Sequence, residues 1–143
     1  MRMEIAVEQH NQLADLGKKY HLKLILLHGS YATGRQHAGS DLDIALLGYV
    51  KFSFNKELDI YADVAKIFGD SKARELDVKS LHGTDPLFLY EVARDSQLLY
   101  GNLTDYDEFR SRAFLSYMDS RDLRELEQLL NRRQLEKLKT AYA

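Results

Sequence analysis

The sequence predicts a small α/β (α+β) domain: a mixed β-sheet flanked by helices, ending in a helical C-terminal segment. Three observations point there. Short apolar or alternating runs at 22–27, 41–47, 75–79 and 97–100 have the length of strands, and segments of helical period separate them. Gly and Asp/Pro punctuation falls at the joins. A chain of 143 residues with 45% hydrophobic and 29% charged residues suits one domain with a real core rather than a disordered chain. We therefore expect a single domain over 1–143, with its core at about 22–100 and a helical region at about 104–140.

Taken in order, residues 4–20 place Ile5, Val7, Leu13, Leu16 and Tyr20 at roughly helical spacing. Leu22 to Leu27 is a short apolar run, the pattern of a buried strand, and it ends in His28-Gly29-Ser30. Ser30 to Thr33 reads as a short helix stopped by Gly34. A polar loop follows from Arg35 to Ser40. Asp41 to Leu47 reads as the second strand. Asn55 to Phe68 reads as a helix stopped by Gly69, with Leu58, Tyr61, Ala62, Ala65 and Phe68 on one face. Glu75 to Lys79 alternates polar and apolar, the period of a strand. Asp85 to Arg94 reads as a helix with Asp85 as N-cap and Pro86 at the first position. A short strand is expected at Gln97–Tyr100, and helix from Thr104 to about Thr140, in two segments or one bent one.

The composition excludes several classes of function. A net charge of −2 gives no global basic field, so direct nucleic-acid binding is not indicated. The chain has no cysteine, which removes disulfides, thiolate nucleophiles and Cys-type zinc sites. MRMEIAVEQHNQ lacks the apolar stretch of a signal peptide, and no apolar run approaches the roughly 20 residues of a membrane helix. A soluble, cytoplasmic protein is expected.

The chemistry lies in one stretch: Gly29-Ser30, ten residues, then Asp41-Leu42-Asp43. Strand residues two apart share a face, so Asp41 and Asp43 project together while Leu42 and Ile44 turn to the core. Adjacent carboxylates repel and raise each other's pKa unless a cation lies between them. Their hard oxygens suit Mg²⁺, which keeps substrate phosphates in its shell. Gly29 lets backbone approach a ligand closely, amides at a helix start can receive a phosphate, and Ser30 adds a hydroxyl. Asp77 sits on an alternating strand with Glu75 and Lys79 on its face. Beside the Asp41–Asp43 strand it becomes the third carboxylate of a two-metal site, or a general base.

Other residues carry plainer readings. His28 reads as a packed or capping histidine and His37 as a solvated loop residue. His10, His21 and His82 lack metal-ligand spacing. Tyr31 lies in the phosphate loop and is the tyrosine to watch. Leu126, Leu129, Leu130, Leu135 and Leu138 form a stripe for another helix, beside the basic Arg132, Arg133, Lys137 and Lys139.

The Gly29-Ser30-x10-Asp41-x-Asp43 pattern resembles the signature of the DNA polymerase β-like nucleotidyltransferase superfamily. The short chain and its GSYATG start resemble the minimal nucleotidyltransferase (MNT) members, the MntA-type antitoxins of HEPN/MNT toxin–antitoxin pairs. This resemblance implies that Gly29 and Ser30 bind nucleotide phosphates and that Asp41, Asp43 and Asp77 are the metal and catalytic carboxylates. It implies ATP as substrate, Mg²⁺ (two ions) as cofactor, and transfer of AMP with release of pyrophosphate. The acceptor implied is a tyrosine hydroxyl of a partner HEPN ribonuclease toxin, which the modification neutralises. Many relatives have arginine at one or both of the positions held here by Tyr31 and Thr33; Arg35 or Lys79 is the candidate replacement. Two alternatives stand: a small-molecule, antibiotic-type nucleotidyltransferase, and a non-catalytic antitoxin acting by occlusion. The short chain leaves little to enclose a small acceptor, which favours a macromolecular one.

Overall fold

Leucine and isoleucine at every position from Leu24 to Leu27 give the first strand two buried faces, and a strand of that kind belongs in the middle of a sheet. The computed structural model describes residues 2–142. Its elements are α1 (Val7–Lys19), β1 (Leu22–His28), α2 (Ser30–Thr33), β2 (Leu42–Gly48), α3 (Phe54–Phe68), β3 (Leu76–Ser80), α4 (Pro86–Arg94), β4 (Gln97–Tyr100), α5 (Leu103–Asp119) and α6 (Arg121–Ala141). The strands form one sheet in the order β3-β2-β1-β4. β1 runs antiparallel to β2 and to β4, whereas β2 and β3 are parallel. Parallel neighbours need a crossover, and α3 supplies it.

Two cores lie on the two sheet faces. Ile25 and Leu27 of β1 and Leu42, Ile44 and Leu46 of β2 join Leu13 and Leu16 of α1 and Ile60, Val64 and Phe68 of α3. On the other face Leu24, Leu26 and Ala45 meet Val92 and Ala93 of α4 and Tyr106, Phe109 and Ala113 of α5. The period-two alternation of β1 divides its side chains between these layers.

Local chemistry fixes the helix boundaries. The Ser53 hydroxyl accepts from Lys56 N at 3.2 Å, the Asp85 carboxylate from Phe88 N at 3.0 Å, and the Asn102 amide oxygen from Asp105 N at 2.7 Å. Each satisfies an orphan amide of a first turn. Pro86 stands at the start of α4, as expected. Gly34 ends α2 in the left-handed region at φ 79°.

Three expectations need correction. α1 begins at Val7, which is exposed; Ile5 packs on the core from the extended segment before the helix. Helical spacing alone could not separate a helix from the segment leading into it. The buried residues of α3 are Ile60, Val64 and Phe68, while Leu58 and Ala62 face solvent. The β-branched pair wins the core because the face is set by where the sheet lies. The leucines of α6 do not form one stripe. At about 100° per residue, Leu126, Leu129 and Leu130 lie roughly 150° round the axis from Leu135 and Leu138. None of them is buried, nor is any other residue of α6.

Candidate active site

The antiparallel register sets His28 of β1 opposite Asp43 of β2, and the parallel register sets Asp43 opposite Asp77 of β3. One row of polar side chains therefore crosses three strands. By the alternation of β1, this row faces the α4 layer. Leu42 and Ile44, on either side of Asp43, are fully buried in the opposite core, so packing on both sides fixes the direction of the carboxylate.

Gly29 follows β1 with φ 71° and ψ −154°, backbone that an L side chain rarely adopts. A Cβ at this position would collide with the Asp43 carboxylate. Glycine here satisfies two demands at once: the turn into α2 and the close approach of that turn to Asp43.

Asp43 is partly buried, and its pKa is pushed up to about 6. Burial is the main cause, followed by the like charges of Asp77 and Asp41, with Lys79 working against them. The three carboxylates thus share one field, although Asp41 itself is exposed just before β2. Lys79 places Nζ 3.5 Å from Asp77 Oδ2 and 5.3 Å from the centre of the Phe88 ring. His28 meets the same ring edge-on at 5.7 Å. Its burial drives the imidazole pKa down to about 4, against the attraction of Asp77. It is a neutral, packed histidine, as the plainer reading held.

Among the described residues no three ligand side chains close around a single point. The donor set nevertheless fits a hard divalent cation: three carboxylates, of which Asp43 is held well above its ordinary pKa by burial and by the like charges of the other two. Asp41, Asp43 and Asp77 are the side chains that would hold it.

A cleft of roughly 280 Å³ opens beside this row. Gly29, Ser30, Thr33 and Arg35 line one side; Phe88, Glu91 and Arg94 of α4 line the other. The carboxylates stand next to the cleft rather than in its wall, and Gly29 links the two, touching Asp43 while lining the cleft. Ser30 and Arg35 both line this cleft. Tyr31 does not. It packs on the α1/α3 core, with the Arg74 guanidinium 5.9 Å from its ring centre. The one-turn α2 points residue 31 away from residues 30 and 33. Phe88, Glu91 and Arg94 had no sequence signal, because only the packing of α4 on the sheet brings them to the glycine turn. His37 is exposed, and its Nδ1 accepts from Gly39 N at 3.1 Å within its own loop. His82 Nε2 accepts from Gly48 N at 3.0 Å, on the Phe52 side of the sheet end.

Comparison with known proteins bears on the family and the fold. The family model described as Polymerase beta, Nucleotidyltransferase matches residues 11–105. Protein adenylyltransferase MntA of Aphanizomenon flos-aquae (strain 2012/KM1/D3) is 33% identical over 113 residues, covering 71% of this chain and 72% of that protein. A crystal structure of a toxin–antitoxin with AMP-PNP contains a chain that superposes with a TM-score of 0.70 at 22% identity, over 85% of this chain and 98% of that one. Another, of the tri-AMPylated Shewanella oneidensis HEPN toxin in complex with the MNT antitoxin, gives a TM-score of 0.66 at 19% identity, over 86% and 97%. At these identities the structural likeness speaks for the fold. The matched family model, spanning most of the chain and containing the glycine turn and all three aspartates, together with the 33% identical relative, shows that the chain belongs to the polymerase beta family of nucleotidyltransferases.

Proposed function

We propose that this chain is a protein adenylyltransferase antitoxin: it transfers AMP from ATP to a tyrosine hydroxyl of a partner HEPN ribonuclease toxin and so silences it. The observation that carries this reading is the Asp43–Asp77 register, with Asp41 alongside and the Gly29 turn packed on Asp43. Kinship with an adenylyltransferase MntA, and a fold shared with antitoxin chains, support the choice of acceptor. So does the exposed α6, which offers a surface about 32 Å long that the chain itself does not cover.

In this reading the ATP triphosphate enters the cleft at Gly29-Ser30, where the glycine lets backbone come close and Ser30 and Arg35 offer donors. The acceptor hydroxyl oxygen attacks the α-phosphorus. A new P–O bond forms, the bond to the β-phosphate breaks, and pyrophosphate leaves. Asp77 takes the hydroxyl proton, which starts near pKa 10 on a tyrosine. Asp41, Asp43 and Asp77 would be the side chains to hold Mg²⁺, which would supply charge to lower that pKa and to neutralise the phosphates. The structural neighbour whose toxin is tri-AMPylated supports repeated transfer here too; in this reading each later AMP joins a ribose hydroxyl of the one before it. The reaction belongs in the cytoplasm, and no helix among the described residues is long and apolar enough to cross a membrane.

The test is intact-mass measurement of the purified pair with Mg²⁺-ATP. Gains in AMP-sized steps should appear on the partner, and Asp41→Asn with Asp43→Asn should slow them by roughly 10³-fold, the order expected when several kcal/mol of metal stabilisation is lost. In EDTA the double variant should melt no lower than the parent, since like charges have been removed. Full neutralisation of the toxin with no mass change would favour occlusion instead.

A further inference from the structure

Repeated transfer raises a physical problem. Where a second AMP joins the first, as that reading has it, the acceptor is no longer a side-chain hydroxyl but a ribose hydroxyl on an attached nucleotide. That nucleotide must be held somewhere while the cleft at Gly29-Ser30 takes the next ATP. We propose that the groove between α4 and α5 is the site that holds the nucleotide already attached to the acceptor. The proposal rests on the adenylyltransferase reading above.

The groove is about 370 Å³ and is lined by Tyr90, Ala93 and Arg94 of α4 and Arg110, Ser111 and Phe114 of α5. Its size falls in the range of small-ligand sites. No carboxylate lines it; Arg94 is already paired with Asp95 at 2.7 Å, so the Arg110 guanidinium is the one that gives the groove the sign that suits a phosphodiester. It neighbours the nucleotide cleft, with Arg94 lining both. Tyr90 is already engaged, stacked on Tyr117 at 4.1 Å with Arg94 over it at 5.5 Å. Phe114 is 51% exposed, tilted 43° to Tyr90, and is the aromatic surface left for a base. Arg110 is held from behind: its Nε donates to Ala93 O at 3.0 Å and it lies 5.5 Å from the Tyr106 ring. Among the described residues it forms no ion pair, so its charge is not spent on a neighbouring carboxylate.

The groove thus pairs a guanidinium for a phosphate with an aromatic ring for a base, at the rim of the site where the next bond forms. The step it serves balances: the ribose hydroxyl oxygen of the attached AMP bonds to the α-phosphorus of a second ATP, pyrophosphate departs, and the hydroxyl proton passes to Asp77. The groove supplies only position. Its loss should leave the first transfer alone and cut the later ones.

The experiment is a time course of partner mass in the intact complex, comparing the parent with Arg110→Gln/Phe114→Ser; thermal melts check that the variant folds. The expected result is unchanged formation of the singly modified partner and a fall of roughly tenfold or more in the rate of the second addition, the order lost with one stacking platform and one phosphate contact. Equal second-addition rates, or a parent that stops after one AMP, would overturn the proposal. A second arm does not depend on transfer. Adenylyl-adenosine dinucleotide is titrated by calorimetry with the cleft filled by a non-hydrolysable ATP analogue. Binding that the variant weakens by a similar factor supports the groove even if no transfer occurs, an outcome that would sink the adenylyltransferase reading alone. No binding, or equal binding to parent and variant, rejects the groove.

Discussion

Two helices of this chain carry comparable amounts of aliphatic side chain and meet opposite fates. α3 buries Ile60, Val64 and Phe68 against the sheet. α6 is longer, holds Leu123, Leu126, Leu129, Leu130, Leu135 and Leu138, and buries none of them. α6 touches the rest of the molecule at its start. There Arg124 donates to Tyr117 O at 2.8 Å and lies 3.7 Å from the Tyr117 ring, which in turn stacks on Tyr90 of α4. An apolar face says that a helix needs a partner; it does not say whose. In α3 the parallel β2–β3 pairing demands a crossover that returns over the sheet, so the partner is fixed by topology. No strand pairing of that kind fixes a partner for α6, and none of its residues is buried.

The sharpest way to break that contrast is a matched pair of truncations. Ile60→Ala should cost the isolated chain about 2–5 kcal/mol, the range for a fully buried isoleucine. Leu130→Ala should stay within about 0.5 kcal/mol, because a half-exposed leucine on an uncovered helix has little to lose. Urea unfolding of both variants, without partner, decides it. Equal losses would mean that α6 folds back onto its own domain in solution. With the partner present the order should reverse for affinity, Leu130→Ala weakening the complex and Ile60→Ala leaving the interface chemistry intact.

The same contrast explains what could be read from sequence. The strands, the caps at Asp85 and Pro86, and the Gly29–Asp43 spacing were legible because each rests on a local rule: a period, an amide to satisfy, two carboxylates one pleat apart. The pairing of β2 with β3, which brings Asp77 opposite Asp43, was a condition the sequence could state but not decide. Phe88, Glu91 and Arg94 were invisible, since they reach the cleft only by the way α4 lies on the sheet. Tyr31 was misplaced because a single helical turn sends neighbouring residues to different sides. The α6 leucines looked like one stripe because they are close in sequence, whereas four-residue interruption by Asn131, Arg132, Arg133 and Gln134 rotates the second group off the first.

A smaller effect tests the glycine turn. Gly29→Ala meets both an unfavourable φ and the Asp43 carboxylate. The backbone conformation alone, with ψ at −154°, should cost about 1–3 kcal/mol. The collision should also push Asp43 out of line with Asp77, so transfer should fall further than stability does. Gly69→Ala is the control: its φ of 83° carries the backbone cost, but a Cβ there meets nothing within 4 Å. If both variants lose stability and only Gly29→Ala loses transfer, the turn's role is the approach to Asp43. Equal transfer in the two would reduce Gly29 to a turn residue.

The smallest effect is a cancellation, and it sharpens the comparison by showing how differently two members of one row respond to burial. Asp43 has a folded pKa of about 6 against an ordinary 3.8. Between about pH 4 and 6 the folded state therefore binds more protons than the unfolded state, and stability falls as pH rises through that window. His28 has a folded pKa of about 4 against 6.5. Between about pH 4 and 6.5 the unfolded state binds more protons, so stability rises with pH. In the metal-free chain the two slopes oppose each other, and the parent should show a nearly flat profile from pH 4 to 6. Asp43→Asn leaves the histidine slope, so that variant should grow more stable as pH rises to about 6.5. His28→Phe leaves the aspartate slope and should lose stability over the same range. Melting temperatures in EDTA at half-unit pH steps measure all three. Adding Mg²⁺ should steepen the rise of the parent above pH 6, because the ion needs Asp43 ionised. Parallel profiles for the two variants would mean that the row does not titrate as the registers of β1, β2 and β3 require.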